Sequence, residues 1–294
     1  MSAAAVSLEA TPLVVIGAGR SGTNMLRDCL VRLDGFVTWP CDEINYVWRH
    51  GNRDEPTDEL GPELARPEVI DFVRGRFARL ERRAARASGA APRVVVEKTC
   101  ANSLRVPFVD AVLPEARFVH IVRDGRDVVA SALERRRAPL EPSYLLAKAR
   151  FVPPSDLPYY AARYAANRLA RLRSPSRLVP QWGPRFRGMR ELGERASPEL
   201  VCATQWRRCV ELAEAALGAF APERVLRLRY EDFVRAPREH LGAIAALAGV
   251  EAAPERVAAA VADVSERSIG RGGKARDDDA SRVMTPLLER FGYA

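Results

Sequence analysis

Short apolar runs alternate with longer amphipathic stretches along most of the chain. The run "PLVVI" at residues 12–16 is typical, because it is rich in β-branched residues and ends in glycines. Such runs indicate buried strands of a parallel sheet, since both faces of a parallel sheet are usually covered. On this basis we expect strands at residues 12–16, 93–99, 116–122 and 224–233.

The longer stretches between these runs carry apolar residues at helical spacing. We expect helices directly after Gly22, over 69–87, after Arg126, over 199–220 and over 240–250. Alternating strands and helices predict an α/β fold. The expected arrangement is a P-loop-like, three-layer α/β/α fold with a central, mostly parallel sheet. We expect one domain over residues 1–294, with a flexible tail at residues 1–10.

Residues 135–190 differ from the rest of the chain in composition. They hold 13 Lys and Arg against two acids, a net charge of +11, and eight of the 21 prolines. This segment is not a simple strand–helix repeat, and we interpret it as a helical, Pro/Arg-rich insertion. Such an insertion fits over the carboxyl edge of the sheet, where α/β proteins bind ligands. The alternative is a solvated loop.

The overall charge of +8 and the pI of about 9.6 favour an anionic partner without identifying it. Five scattered cysteines without a C-x-x-C pair predict reduced thiols and a cytoplasmic protein. Three isolated histidines give no metal-ligand spacing, so we expect no metal. No apolar stretch reaches about 18 residues, so no transmembrane helix is expected. Peripheral contact with a membrane and the oligomeric state stay open.

The segment "GAGRSGT" contains Gly17, Gly19 and Gly22 in the spacing G-x-G-x-x-G. A strand, a tight glycine turn and a helix start direct backbone N–H groups and a helix dipole at one spot, which favours an anion. A dinucleotide site would need an acid about 20 residues later, after a second strand. Glu43 has that spacing, but the strand before it is poor. A Walker A loop would need a lysine that this segment lacks.

A second motif follows the strand expected at 116–122. Arg123 stands directly after that strand, and Ser131 lies eight residues later in the next helix. This spacing predicts a second phosphate site beside the first one. Two anion sites on one sheet suit a nucleotide that carries phosphates at both ends.

Together, "GAGRSGT", "EKT" and "RFVHIVRDGRDVVAS" resemble the family of sulfotransferases that depend on 3′-phosphoadenylyl sulfate (PAPS). The likeness is greatest to the bacterial and tyrosylprotein-type branch, whose loop reads R-S-G-T. It covers residues 12–43, 93–133, 200–250 and the C-terminus. The resemblance implies an enzyme that moves a sulfuryl group from PAPS to an acceptor hydroxyl and releases adenosine 3′,5′-bisphosphate.

The resemblance also implies roles for individual residues. In the catalytic group, Arg20 and Lys98 would neutralise the sulfuryl oxygens and Glu43 would be the acceptor base. The residues expected to bind the donor are Gly19, Arg20, Ser21, Gly22, Thr23, Asn24, Arg123, Ser131, Arg135, Tyr230, Gly270, Arg271 and Lys274.

Three positions depart from the family pattern. Asn24 replaces a usual threonine, and Cys100 and Ala101 follow "EKT" where relatives often have Pro and Arg. Asp42 stands next to Glu43, so the base could be either carboxylate. The implied acceptor is a carbohydrate, lipid headgroup, phenol or peptide, and no nucleic-acid partner is expected. A Mg²⁺-dependent P-loop kinase and a non-catalytic relative that binds sulfated polymers remain as alternatives.

Overall fold

The computed structural model describes residues 6–137, 150–173, 183–273 and 277–293. Its strands are β1 (Thr11–Ile16), β2 (Phe36–Val37), β3 (Val94–Lys98), β4 (Arg117–Val122) and β5 (Val225–Arg229). They form one parallel sheet in the order β2-β3-β1-β4-β5. The predicted α/β fold with a central parallel sheet is thus confirmed.

Helices surround this sheet. The α-helices are α1 (Thr23–Leu30), α2 (Asn45–Trp48), α3 (Pro67–Ser88), α4 (Val106–Val112), α5 (Gly125–Arg137), α6 (Leu157–Arg173), α7 (Met189–Arg195), α8 (Pro198–Leu217), α9 (Tyr230–Arg235), α10 (Pro237–Leu247), α11 (Pro254–Ala260) and α12 (Asp278–Arg290). Short 3-10 helices lie at Pro62–Leu64, Cys100–Leu104, Pro154–Asp156, Pro222–Arg224 and Glu266–Ser268.

The side chains of the central strands alternate between two cores, as the period of a strand requires. On one face, Leu13 and Val15 of β1 pack in one cluster with residues of α1 and α10. On the other face, Val14 and Ile16 pack with residues of α3 and α4. A third cluster joins α5, α8 and α12. The sheet is therefore the middle of three layers.

Two expectations about the strands need correction. The strand expected over 224–233 ends at Arg229, and Tyr230 begins α9. Glu231 and Asp232 lie in the first turn of α9, where the helix dipole favours acids. The segment at Phe36–Val37, which we judged a poor strand, pairs with β3 as β2. This two-residue strand is defined by its pairing with β3, which its own short sequence does not reveal.

The segment expected to be a flexible tail, residues 1–10, includes residues that contact α3. The backbone N–H of Ala10 donates to Oε1 of Glu81 on α3 at 3.2 Å, and Ala10 is buried. The carbonyl of Val6 accepts a hydrogen bond from Arg74 of the same helix. Residues 6–10 therefore pack on α3.

The insertion at 135–190 is described only in part. Its helix α6 contacts the segment after α2, because the hydroxyl of Tyr159 donates to the carbonyl of Arg53 at 2.8 Å. Just before α6, Asp156 lies 2.8 Å from Nδ1 of His50 and 3.0 Å from Nη1 of Arg53. The insertion thus contacts the segment that follows α2.

Candidate active site

A cavity of about 1040 Å³ lies at the carboxyl edge of the sheet. This edge is where ligands bind in open α/β sheets. The segments that follow β1, β3, β4 and β5 all reach it. The sequence-predicted residues that line it are Gly19, Arg20, Gly22, Thr23, Asn24, Glu43, Lys98, Arg123, Ser131, Arg135, Tyr230 and Arg271.

The loop after β1 owes its shape to two glycines. A Cβ on Gly17 would lie 2.8 Å from the carbonyl oxygen of Ile121. Gly22 has φ of +84°, and a Cβ there would lie 2.3 Å from the ring of Tyr230. Arg20 is also left-handed, with φ of +74°, a conformation that non-glycine residues rarely adopt. The loop therefore fits closely against β4 and α9.

Ser21 does not line this cavity. Its side chain is buried, and its hydroxyl has no hydrogen-bond partner within the described residues. The exposed donors of the loop are therefore those of its neighbours, chiefly the Arg20 side chain.

The two anion sites inferred from the sequence are joined directly. Nε of Arg20 donates to the hydroxyl of Ser131 at 2.9 Å, and Nη1 of Arg123 donates to the carbonyl of Arg20 at 3.1 Å. Burial lowers the pKa of Arg20, and the positive charges of Arg135 and Arg123 lower it further. This cluster of cations favours an anionic ligand.

Arg123 is held on several sides. Its guanidinium carbon lies 4.5 Å from the ring centre of Tyr230, a cation–π contact. Nη2 donates to Asp127 at 3.3 Å and also to the carbonyl of Ser268. The hydroxyls of Ser268 and Tyr230 are hydrogen-bonded to each other. These contacts bring the segment after β5 and the 3-10 helix at 266–268 to the end of β4.

On the β3 side, Lys98 and Glu43 form an ion pair. Nζ of Lys98 donates to Oε1 of Glu43 at 3.1 Å, and the backbone N–H of Cys100 donates to the same oxygen at 3.4 Å. The Lys98 side chain is 2% exposed and that of Glu43 27%. Burial lowers the pKa of Lys98, but Cys100 and Glu43 together raise it above its ordinary value. Lys98 is therefore a fixed cation at neutral pH.

A buried polar network supports this pair. Glu97 points away from Lys98 and accepts hydrogen bonds from Trp48 at 3.0 Å, Thr99 at 2.6 Å and Asn102 at 2.8 Å. Thr99 in turn accepts from the backbone N–H of Ile44 at 3.2 Å. Burial raises the pKa of Glu97, and its hydrogen bonds offset only part of that rise. The network connects β3 to the residue next to Glu43.

The expected closing loop near the C-terminus lies over the start of α5. Arg271 lines the cavity, whereas Gly270 is bonded to Asp127 through its backbone N–H at 2.9 Å. Lys274 lies outside the described residues.

Several cavity residues were not singled out in the sequence. The structure adds Asn45 and Tyr46 from α2, Asp127 from α5, and Gly183, Pro184 and Ser268. Asp127 could have been noticed, because it follows Arg123 by four residues, the spacing of neighbours on a helix. The others come from loops whose position depends on tertiary packing.

A buried aspartate connects α2 to the end of the insertion. Asp58 lies 3.0 Å from Nη1 of Arg49, 3.6 Å from Nε of Arg185 and 3.9 Å from Nη1 of Arg105. Arg105 donates to the side-chain oxygen of Asn45 at 2.6 Å. Burial alone would raise the pKa of Asp58, but Arg185, Arg105 and Arg49 outweigh it and hold that pKa below its ordinary value.

The described residues offer neither a metal site nor a membrane-spanning helix. They contain no group of three or more His, Cys, Asp or Glu side chains that could hold a metal ion. Within the same part of the chain, no helix has the length and apolar character needed to cross a membrane.

Comparison with solved structures finds sulfotransferases. STF9 from Mycobacterium avium shares 13% identity over 97% of this chain and 78% of that one, with a TM-score of 0.51. STF1 from Mycobacterium tuberculosis shares 13% identity over 98% of this chain and 78% of its own, also with a TM-score of 0.51. The sulfotransferase domain from the Synechococcus PCC 7002 olefin synthase shares 15% identity over 96% of both chains, with a TM-score of 0.49. At this identity, the likeness to STF9 and STF1 supports the fold alone.

The sequence itself carries the family assignment. No curated protein matches the chain in sequence. A family model described as "Sulfotransferase family" matches residues 12–180 and 176–254. These matches include the loop after β1, Glu43, Lys98 and the Arg123–Ser131 segment. Because they span well over half of its 294 residues, the chain belongs to the sulfotransferase family of enzymes.

Proposed function

We propose that this enzyme transfers the sulfuryl group of PAPS to an acceptor hydroxyl and releases adenosine 3′,5′-bisphosphate. The observation that carries the proposal is the meeting of two sets of groups in one cavity. Arg20, Arg123 and Ser131 form a cluster that suits phosphate and sulfate groups, and the Lys98–Glu43 pair borders the same space.

The chemistry of the loop after β1 and of the Arg123–Ser131 segment suits PAPS as the donor. The left-handed Arg20 and Gly22 turn the backbone into a loop at the start of α1, where N–H groups and the helix dipole favour anions. Arg123 and Ser131 offer charged and neutral donors for a second phosphate. Nε of Arg123 is buried and has no hydrogen-bond partner among the described residues. These features support the donor-binding roles proposed for the residues that line the cavity, which are Gly19, Arg20, Gly22, Thr23, Asn24, Arg123, Ser131, Arg135 and Tyr230.

The reaction is an in-line displacement at sulfur. The acceptor oxygen forms a new S–O bond as the bond from sulfur to the phosphate oxygen of the donor breaks, and the leaving phosphate keeps the electron pair. We propose that Lys98 and Arg20 stabilise the charge on the sulfuryl and leaving oxygens, as preorganised donors do in group transfer. Glu43 takes the proton from the acceptor hydroxyl. A sulfate ester and adenosine 3′,5′-bisphosphate result.

Calorimetric titration with adenosine 3′,5′-bisphosphate tests the donor site. We expect binding that saturates well below about 1 mM without added Mg²⁺. Replacement of Arg123 by Ala should weaken this binding by about 10- to 100-fold, because a hydrogen-bonded charge is lost. Arg126→Ala is the matched control, since Arg126 bonds to Asp124 and the carbonyl of Tyr293 and does not line the cavity. Binding of ATP with Mg²⁺ in place of the bisphosphate would instead favour a kinase.

The acceptor requires a separate experiment. Labelled PAPS offered with carbohydrate, lipid, phenol and peptide hydroxyls should give a labelled ester with one class. Asn45 and Tyr46, which follow Glu43 closely in the chain, line the cavity together with Pro184, and we expect these three residues to contact the acceptor. Weak or absent binding of the bisphosphate, together with no transfer to any acceptor, would support the non-catalytic alternative.

A further inference from the structure

One carboxylate ties the C-terminal loop to α5. Asp127 is 3% exposed, and its two oxygens accept from the backbone N–H of Gly270 at 2.9 Å and of Gly272 at 2.6 Å. Its Oδ2 also accepts from Arg123 at 3.3 Å. A single buried anion thus contacts both a donor-site arginine and the loop at 268–273.

The loop approaches α5 so closely that only glycine fits at one position. A Cβ on Gly272 would lie 2.3 Å from the backbone carbon of Arg126 and 2.5 Å from the backbone nitrogen of Asp127. Arg271 stands between the two bonded glycines and lines the cavity. The two hydrogen bonds from the backbone N–H groups of Gly270 and Gly272 to Asp127 therefore determine where the Arg271 backbone lies.

The charge of Asp127 has the wrong sign for a group beside a phosphate site. An anion this close to Arg123 repels a bound phosphate and neutralises part of the arginine charge. Its presence is understandable if the geometry that it maintains contributes more to binding than its charge removes. The hydrogen bonds support this view, since an ionised acceptor makes stronger bonds to backbone N–H groups than a neutral one.

We propose that Asp127 is a positioning residue that holds the loop at 268–273 over the donor site and brings Arg271 to the nucleotide. This inference rests on the proposed function, because it assigns the nucleotide as the ligand that Arg271 meets. It predicts that loss of the Asp127 charge weakens nucleotide binding, although simple electrostatics predicts that binding becomes tighter.

The test compares three variants. Asp127→Asn keeps the side-chain shape but presents an NH₂ group to one of the two amides. Gly272→Ala keeps every charge and disturbs only the close approach. Asp124→Asn is the matched control, because it removes the same charge three residues away, and Asn is an equally good helix cap.

Two measurements are made on each variant: calorimetric affinity for adenosine 3′,5′-bisphosphate, and hydrogen–deuterium exchange of the peptide covering 268–273 in the free protein. We expect Asp127→Asn and Gly272→Ala to bind about tenfold or more weakly and to exchange faster in that peptide. Asp124→Asn should match the wild type in both.

The outcomes separate this inference from the proposed function. If the wild type binds the bisphosphate and Asp127→Asn binds equally or more tightly, Asp127 is only a repelling anion and the inference is overturned. Unchanged exchange in the 268–273 peptide of Asp127→Asn overturns it as well. If the wild type does not bind the bisphosphate, the proposed donor is wrong, and the exchange measurement still decides whether Asp127 holds the loop.

Discussion

At the scale of single residues, the loop after β1 depends on a glycine that has two separate functions. Gly22 supplies a left-handed backbone and leaves space for the ring of Tyr230. The second requirement explains why an arginine can take the left-handed conformation at residue 20 while residue 22 has no side chain. Tyr230 is then a packing partner of the loop as well as a contact of Arg123.

Gly22→Ala separates these two functions when it is compared with Gly89→Ala. Gly89 is also left-handed, with φ of +76°, but a Cβ there would meet nothing within 4 Å. Gly89→Ala should therefore lower the free energy of unfolding only by the cost of a left-handed alanine, about 1–2 kcal/mol. Gly22→Ala should lose roughly 1–3 kcal/mol more from the collision with Tyr230. Urea unfolding measures both, and equal losses would show that the Tyr230 contact relaxes without cost.

Glu43→Gln tests the proposed base. We expect kcat to fall by about 10²- to 10⁴-fold, the usual contribution of a general base, with the affinity for adenosine 3′,5′-bisphosphate nearly unchanged. Asp42→Asn is the control, since Asp42 also lines the cavity but the ion pair with Lys98 belongs to Glu43. Steady-state kinetics measure kcat for both variants. A larger loss in Asp42→Asn would move the base to residue 42.

At the scale of elements, Asp58 joins parts of the chain that are far apart in sequence. It contacts Arg49 from the end of α2, Arg105 from the segment after β3, and Arg185 from the end of the insertion. The backbone of Asp58 also bonds to Arg185, whose carbonyl accepts from its N–H at 2.7 Å. This cluster places α2, and thus Asn45 and Tyr46, next to the cavity.

Asp58→Asn should destabilise the protein by about 3–5 kcal/mol, because it leaves buried arginines without their counter-ion. Asp54→Asn is the matched control in the same loop, since its side chain is 83% exposed and pairs with Arg53 only at 3.8 Å. That change should stay within about 0.5 kcal/mol. Chemical unfolding monitors both. A small loss in Asp58→Asn would show that the arginines find other partners.

The same aspartate predicts part of the pH dependence of stability. Its pKa in the folded protein lies below the ordinary value of 3.8, so its contribution is complete above that pH and is lost as the pH falls towards the folded value. The free energy of unfolding of the wild type should therefore fall more steeply below about pH 4 than that of Asp58→Asn. Unfolding curves measured from pH 5 to pH 2.5 test this. If Asp58 does not cause the difference, the free energy of unfolding of the two proteins will fall in parallel with pH.

The sequence predicted the elements with long apolar runs and missed those defined by their neighbours. Strands β1, β3 and β4, and the helices that follow β1 and β4, were predicted from apolar spacing, whereas helix α4 after β3 was not. The end of β5 at Arg229 could not be placed in the same way, because "RYEDF" alternates well enough to continue a strand. Helix α2 has four residues and is held by Trp48 and the Arg49–Asp58 pair, which no local pattern reveals.

At the scale of the whole molecule, nucleotide binding should be visible as stabilisation. A ligand at 100 times its Kd adds about 2.7 kcal/mol to the free energy of unfolding, if only the folded state binds it. For a chain of this length we expect adenosine 3′,5′-bisphosphate to raise Tm by roughly 5–10 °C. Differential scanning fluorimetry with NAD at the same concentration is the control. Equal shifts with both would indicate a site that does not distinguish them.

The sequence predicted that the two anion sites lie at the same edge of the sheet, but not that they contact each other. The motifs at residues 17–24 and 123–131 each follow a strand, so both had to lie at the carboxyl edge. Their direct contact through Arg20 and Ser131 depends on β1 and β4 being neighbours, and strand order is a property of the complete fold. For the same reason, Asp127 and the loop at 268–273 came together only in the structure.

The strand order also has a consequence during synthesis of the chain on the ribosome. Strand β5 pairs with β4, yet Val122 and Val225 are separated by about 100 residues that include the insertion. At about 5–20 residues per second, β5 is made roughly 5–20 s after β4. During that time the apolar edge of β4 has no partner strand and can associate with other nascent chains. A soluble yield that varied with translation speed or chaperone supply would then reflect the order of the strands and not the stability of the finished fold.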